Sequence, residues 1–212
     1  MLMNYLAMDT GADYLTVVVQ KEGAVTIRNL PDCKLKHSTR LMGAVEDALA
    51  EANMRIADCD FFAAVTGPGS FTGIRIGISA AKGFALGEDK PVLGVTTFDC
   101  LAYNGTEKLL TVVNAGHGNY YVCGYLSDAE GKGIFMEPCF LDTPALLQAA
   151  KDLPVYTAEA LPVAEYLSVR KADMTKGLIA AIEAKLRGDV PKSREIVALY
   201  VRKSQAEEGR KC

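Results

Sequence analysis

Residues Val65–Gly77 read VTGPGSFTGIRIG, a glycine-rich turn that leads into a helix. Such a turn can wrap a phosphate, hold a nucleophilic serine, or let two helices approach closely, and each use predicts a different protein. The preceding residues 61–66 form a short apolar run, which is typical of a buried strand. The stretch therefore predicts a strand–turn–helix unit whose chemistry depends on the spacing of its residues.

Three known motifs with glycine-rich turns do not fit this spacing. A P-loop needs a lysine directly after its last glycine to neutralise the phosphates, and no glycine here has one at that position. A dinucleotide fingerprint needs G-x-G-x-x-G, but Gly67 and Gly69 are followed by Gly73, one residue late. A nucleophile elbow needs glycines two residues either side of its serine, where Ser70 has a proline and a threonine.

The helix after the turn is apolar on nearly every side. Its polar side chains between Gly73 and Gly87 fall in one narrow stripe, formed by Arg75, Ser79 and Lys82. A helix of this kind must be buried on nearly every side. The pattern favours an obligate helix–helix interface with another subunit, and the alternative is a central helix enclosed by its own domain.

Small residues four apart mark where a second helix would approach. Gly77 and Gly83 should each cost the helix about 0.5–1 kcal/mol relative to alanine, so packing must offset them. Gly73, Gly77 and Ala81 form a smooth groove on one side. The residues predicted to bind a partner come from this helix and the one before it: Leu41, Val45, Leu49, Gly73, Ile74, Gly77, Ile78 and Ala81.

The start of this helix has a second interpretation. Ser70 or Thr72 is expected to cap it, and its free amides, with Arg75 one turn away, are suited to an anion. The alternative is a plain cap that binds nothing, which is the commoner case.

Composition narrows the classes of protein. The 212 residues are 50% hydrophobic with a net charge of −3, which suits one or two domains and disfavours autonomous nucleic-acid binding. No apolar run reaches the roughly 20 residues of a membrane helix, and the N-terminus lacks the charge of a signal peptide. The six cysteines form no C-x-x-C pair. We therefore expect a cytoplasmic protein with reduced cysteines and no membrane association.

The order of predicted elements indicates two related α/β lobes. The N-terminal lobe, 1–100, has strands at 5–9, 14–20 and 24–28, a helix capped by Ser38, a strand at 61–66, the quoted turn with its helix, a strand at 92–95 and a short helix at 98–103. The C-terminal lobe, 101–212, is shorter. It has strands at 109–114, 119–126 and 133–140 and helices near 144–150, 160–168 and 175–187.

The stretch GPGSFTGIRIGISAAKG resembles the signature of the bacterial TsaB family, also called YeaZ. The likeness covers about residues 4–104: Met8-Asp9-Thr10, His37-Ser38, the signature, and Leu93–Thr97. It resumes weakly at 114–121 and at ALYVRKSQAE, residues 198–207. The family has the RNase H-like fold of actin, sugar kinases and heat-shock chaperones, which agrees with two βββαβα lobes.

The resemblance implies a non-catalytic scaffold in the complex that forms N6-threonylcarbamoyladenosine next to the anticodon of tRNA. TsaB proteins bind the paralogue TsaD, which carries the metal and the transfer chemistry, and the ATPase TsaE joins them. Family members pair through their first two helices, here about 38–53 and 73–87, and alone they form homodimers through the same helices. The resemblance implies tRNA contact only through the complex, no intrinsic cofactor, and ATP or ADP at the partner interface.

The resemblance gives no catalytic residue and no metal site. Kinases of this fold hold magnesium-ATP with an acid on each lobe's first hairpin; Asp9 fits the first place, but Asn114–Gly116 replaces the family's Asp-Ala-Arg at the second. His37 and His117 lack the H-x-x-x-H spacing of the paralogue's metal site. The rival hypotheses are a self-standing ATP-binding or metalloprotease-like enzyme of the same fold, and a homodimeric binding protein.

Overall fold

The computed structural model describes residues 2–127, 131–186 and 191–202. The strands in these ranges are β1 Tyr5–Asp9, β2 Leu15–Lys21, β3 Ala24–Leu30, β4 Phe61–Val65, β5 Val92–Val95, β6 Leu109–Gly116, β7 Asn119–Ser127, β8 Lys132–Asp142, β9 Val155–Thr157 and β10 Val169–Lys171. The helices are α1 His37–Glu51, α2 Phe71–Gly87, α3 Thr97–Ala102, α4 Thr143–Ala149 and α5 Met174–Lys185. No helix among the described residues is long and apolar enough to cross a membrane.

The strands form two five-stranded sheets with the same topology. The first has the order β3-β2-β1-β4-β5, with β1–β3 an antiparallel meander and β4 and β5 parallel to β1. The second has the order β8-β7-β6-β9-β10, again a meander followed by two parallel strands. Each sheet therefore repeats the pattern third, second, first, fourth, fifth strand. The predicted α/β fold class is confirmed.

The central strands of the first sheet, β1, β2 and β4, are covered on both faces, which explains their continuous apolar runs. Alternate residues of β1, such as Leu6 and Met8, pack against α1 and α2 together with Phe62 of β4. The intervening residues, such as Tyr5, are also fully buried on the opposite face. The core of the first sheet thus lies between the sheet and the two helices that carry most of the predicted site.

The chain divides into two compact units, Met1–Thr97 with Leu178–Ala198, and Phe98–Gly177 with Leu199–Cys212. The segment that returns to the first unit was predicted to belong to the lobe 101–212. It joins the first unit because Ile196 is buried in that core beside Gly94, and Val92 N donates to Ser193 O at 2.8 Å. The sequence gives no local pattern that predicts the packing of this C-terminal segment on the first unit.

The predicted helix at 160–168 is wrong. The segment forms a single 3-10 turn at Ala164–Tyr166, and two short strands that were not predicted, β9 and β10, flank it. Pro162 has no amide hydrogen to donate within a helix, and Leu161 and Val163 are buried two residues apart rather than at helical spacing. The remaining helices and strands lie within a few residues of their predicted bounds. The predicted end of the last helix, residue 187, lies outside the described residues. Residues 203–207 of the ALYVRKSQAE segment also lie outside them.

The predicted N-cap of α1 is also wrong. The helix begins at His37, one residue before Ser38, and no side chain caps it. The His37 ring instead hydrogen bonds the carbonyl of Tyr14 through Nε2 at 3.0 Å. A tertiary contact therefore holds the start of this helix where a local cap was expected.

Candidate functional site

The glycine-rich turn is a rigid connection between β4 and α2. Ser70 caps the helix, with its Oγ accepting from the amide of Gly73 at 3.2 Å, so the capping interpretation of Ser70 is confirmed. The amide of Ser70 donates to the carbonyl of Gly11 at 2.7 Å. A Cβ atom at Gly69 would lie 2.4 Å from that same oxygen, so only glycine allows the turn to pack so closely on the β1–β2 turn.

The glycines of the predicted stripe face inward. A Cβ at Gly73 would lie 2.0 Å from the carbonyl oxygen of Thr10, and one at Gly77 would lie 2.5 Å from Thr10 Oγ1. Thr10 is itself buried, and Ala81 is fully buried on the same side of α2. The small-residue groove therefore accepts the β1–β2 turn of the same unit, and not a helix of another subunit.

Most of the residues predicted to bind a partner belong to the unit's own core. Leu49 is half-buried and packs against that core. The others are buried: Leu41, Val45, Gly73, Ile74, Gly77, Ile78 and Ala81. An apolar helix packs its most regular stripe against the nearest sheet. These side chains therefore face the core of their own unit, and Leu41 also lines the open groove on the other side of α1 and α2.

The opposite side of these helices is exposed and carries a groove with a largely apolar lining. An open groove of about 460 Å³ is lined by Ser38, Leu41, Met42, Phe71, Thr72, Arg75, Ile76, Ser79 and Ala80. Further along α2, Gly83 has no heavy atom within 4 Å of its Cβ position, and Leu86 is 85% exposed. We name the groove residues together with Gly83 and Leu86 the outer α1–α2 face.

The outer α1–α2 face contains Leu41, which was predicted to bind a partner, and Thr72 and Arg75, which were predicted as anion contacts, while its other residues were not predicted. Phe71 is 48% exposed, and the Arg75 guanidinium lies 3.7 Å from the centre of its ring, a cation–π arrangement that holds both side chains at the surface. Ile76 and Ala80 are partly buried against the core. The sequence signal at this face was Gly83, whose cost to the helix predicted a packing contact that the unit itself does not supply.

Asp9 is held by its own turn. Its Oδ1 accepts from the amide of Gly11 at 2.9 Å and its Oδ2 from the Tyr14 hydroxyl at 3.0 Å. Burial raises the pKa of the Asp9 carboxyl above its ordinary value of 3.8, while the two hydrogen bonds and the nearby His37 act in the opposite direction. Both oxygens therefore have structural hydrogen-bond partners within the turn.

The corresponding loop of the second unit is also held by internal hydrogen bonds. Asn114 Oδ1 accepts from the amide of Gly116 at 2.9 Å, and the amide of Asn114 donates to Glu159 Oε1 at 2.7 Å. His117 is exposed in this turn with a φ of 52°. Among the described residues, Glu159, which sequence reasoning missed, supplies the carboxylate that accepts from the amide of Asn114. Nowhere in those residues do three or more His, Cys, Asp or Glu side chains come together as a metal site.

Comparison with known proteins identifies relatives of this chain. Residues 31–177 match the family model described as TsaD, tRNA N6-adenosine threonylcarbamoyltransferase. The Escherichia coli K12 protein named tRNA threonylcarbamoyladenosine biosynthesis protein TsaB is 34% identical over 134 residues, which are 61% of this chain and 58% of that protein. The Bacillus subtilis 168 protein of the same name is 36% identical over 103 residues, covering 49% and 45%. The chain thus spans about half the length of these curated relatives.

Solved structures agree with the fold. YeaZ from Pseudomonas aeruginosa superposes with a TM-score of 0.72 at 22% identity, covering 94% of this chain and all of that one. Fold and sheet topology define an α/β protein of two units, each built on a mixed five-stranded sheet, and its fold is that of the YeaZ structure. The chain belongs to the TsaB (YeaZ) family.

Proposed function

We propose that this chain takes part in forming N6-threonylcarbamoyladenosine in tRNA as a non-catalytic subunit that binds a TsaD-type transferase. The names of its relatives support the pathway, and the matched family model shows that a TsaD-type transferase is related to this chain in sequence. The observation that carries the binding role is the outer α1–α2 face, an exposed apolar surface on two adjacent helices.

The size and chemistry of this face support a specific interface. Helices of 15 and 17 residues are about 22 and 25 Å long, which is the scale of a surface that buries ~800 Å² on each partner. Phe71, Met42 and Leu86 are large apolar side chains that water solvates poorly, and Gly83 leaves room for a close backbone approach. Burying such side chains at about 25 cal/mol per Å² is what drives association.

The alternative of a self-standing enzyme has less support. Asp9 and Asn114, the residues at the two hairpins where a kinase of this fold would bind magnesium-ATP, are both engaged in hydrogen bonds of their own turns. Gly69 and Ser70 fill the space beside the first turn, so it offers no open phosphate cradle. We propose that ATP or ADP binds at the partner interface, that tRNA is contacted only through the complex, and that TsaE joins that complex.

Sedimentation velocity tests the proposal directly. We expect the chain mixed with the TsaD-type paralogue of the same genome to sediment as one heavier species, and the chain alone to form a homodimer through the same face. Two independent boundaries at micromolar concentrations of both proteins would contradict the binding role. Reconstituted tRNA modification that proceeds equally without this chain would contradict its place in the pathway.

A further inference from the structure

The β1–β2 turn, residues 10–14, brings a hydroxyl group into hydrogen-bond contact with two backbone groups of α2. Thr10 Oγ1 donates to the carbonyl of Gly73 at 2.7 Å and accepts from the amide of Gly77 at 3.1 Å. These two backbone groups pair with each other in a regular α-helix. Thr10 is 1% exposed. Its side chain, which belongs to the β1–β2 turn, therefore forms buried hydrogen bonds with the backbone of α2.

The other end of the same turn is attached to α1. The carbonyl of Tyr14 accepts from His37 Nε2 at 3.0 Å, and the carbonyl of Asp13 accepts from the amide of Cys33 at 2.7 Å. His37 is the first residue of α1 and is buried. One short turn therefore contacts the starts of both helices that form the outer α1–α2 face.

We infer that Thr10 is a positioning residue for partner binding, because it sets where α2 lies relative to α1. This inference rests on the proposed function. Thr10 is buried beneath α2 on the side opposite the outer α1–α2 face, so it acts through the helices and not by touching the partner. The width of the groove between Met42 and Ile76 is the quantity it controls.

Replacing the Thr10 hydroxyl with a methyl group is expected to move α2 relative to the β1–β2 turn. The Thr10 hydroxyl lies 2.7 Å from the carbonyl oxygen of Gly73, so this hydrogen bond sets how closely α2 approaches the turn. A methyl group needs about 3.3 Å from the same oxygen, so Thr10→Val pushes α2 away from the turn. Thr10→Ser retains the hydroxyl and both hydrogen bonds.

The test compares three variants as full chains. We expect Thr10→Val to weaken binding of the TsaD-type paralogue about tenfold, and Thr10→Ser to bind within about twofold of the wild type. Val18→Ala is the control for general destabilisation, since Val18 is buried and alternates with two residues that face the helices, so it points to the other side of the sheet. As long as a variant is almost fully folded, loss of stability alone leaves its affinity unchanged.

A second measurement on the free chain does not depend on the partner. Hydrogen exchange at the amide of Gly77 should be faster in Thr10→Val than in Val18→Ala, at matched thermal stability. If the wild type binds and Thr10→Val binds equally well, or if Val18→Ala weakens binding as much, this inference is overturned and the proposed function stands. A wild-type chain that does not bind the paralogue overturns the proposed function, and unchanged exchange at Gly77 then overturns the role of Thr10 in holding α2.

Discussion

Gly77 of α2 lies so close to Thr10 that a Cβ atom at position 77 would be 2.5 Å from the threonine Oγ1. Real Cβ atoms do not approach other atoms this closely, so glycine is required by the fold of the unit itself. Gly83, six residues later in the same helix, has nothing within 4 Å of its Cβ position. Gly77 and Gly83 look equivalent in the sequence, but only Gly77 is required by packing within the unit.

Alanine substitution should separate these two glycines. We expect Gly77→Ala to lower the free energy of unfolding by about 1–3 kcal/mol, because the methyl group forces α2 away from the turn. Gly83→Ala is the matched control and should raise it by about 0.5–1 kcal/mol through better helix propensity. Chemical denaturation measures both, and a Gly77→Ala protein as stable as the wild type would contradict the packing described for Thr10.

The sequence allowed prediction of the fold, but most of the residues predicted to bind a partner are buried in the core of their own unit. Strand alternation and the apolar helix predicted the elements of the first unit, since both patterns reflect local geometry. The helix α2 is apolar on nearly every side, so its sequence does not show which side faces the core. That side is set by a contact between Thr10 and Gly77, which are 67 residues apart. Ile196 packs in the first core beside Gly94, from which it is still more distant in the sequence. Neither contact produces a periodic pattern in the sequence.

The buried carboxyl of Asp9 predicts a pH dependence of stability. Its pKa is raised in the folded chain above the ordinary value of 3.8, chiefly by burial. The folded state therefore binds more protons than the unfolded state between these two pKa values, and its stability falls as the pH rises through that interval. Asp9→Asn retains hydrogen-bonding groups at both positions without the buried charge.

We expect Asp9→Asn to gain stability relative to the wild type as the pH rises from below 4 towards neutral. Urea denaturation of both proteins at a series of pH values gives the difference curve, in which other titrating groups cancel. A flat difference curve would show that the carboxyl is not destabilised by burial. Partner binding by Asp9→Asn should equal that of the wild type if Asp9 holds only its own turn.

The segment that returns to the first unit should contribute to its stability through one side chain. Ile196 is 5% exposed and packs in the core beside Gly94, whereas the next residue, Val197, is 75% exposed. We expect Ile196→Ala to lower the free energy of unfolding by about 2–4 kcal/mol, and Val197→Ala to change it by less than about 0.5 kcal/mol. Equal effects of the two substitutions in thermal denaturation would place this segment outside the core.

The central claim is that the outer α1–α2 face binds the TsaD-type paralogue. Gly83→Arg places a long side chain on that face where the free chain has open space, so the variant should remain folded. Gln148→Arg, on an exposed position of α4 in the second unit, makes the same change of charge elsewhere. The most direct test is the Kd for the paralogue by isothermal titration calorimetry. We predict at least a hundredfold weaker binding for Gly83→Arg, with Gln148→Arg binding like the wild type, and wild-type affinity in a folded Gly83→Arg chain would contradict the account.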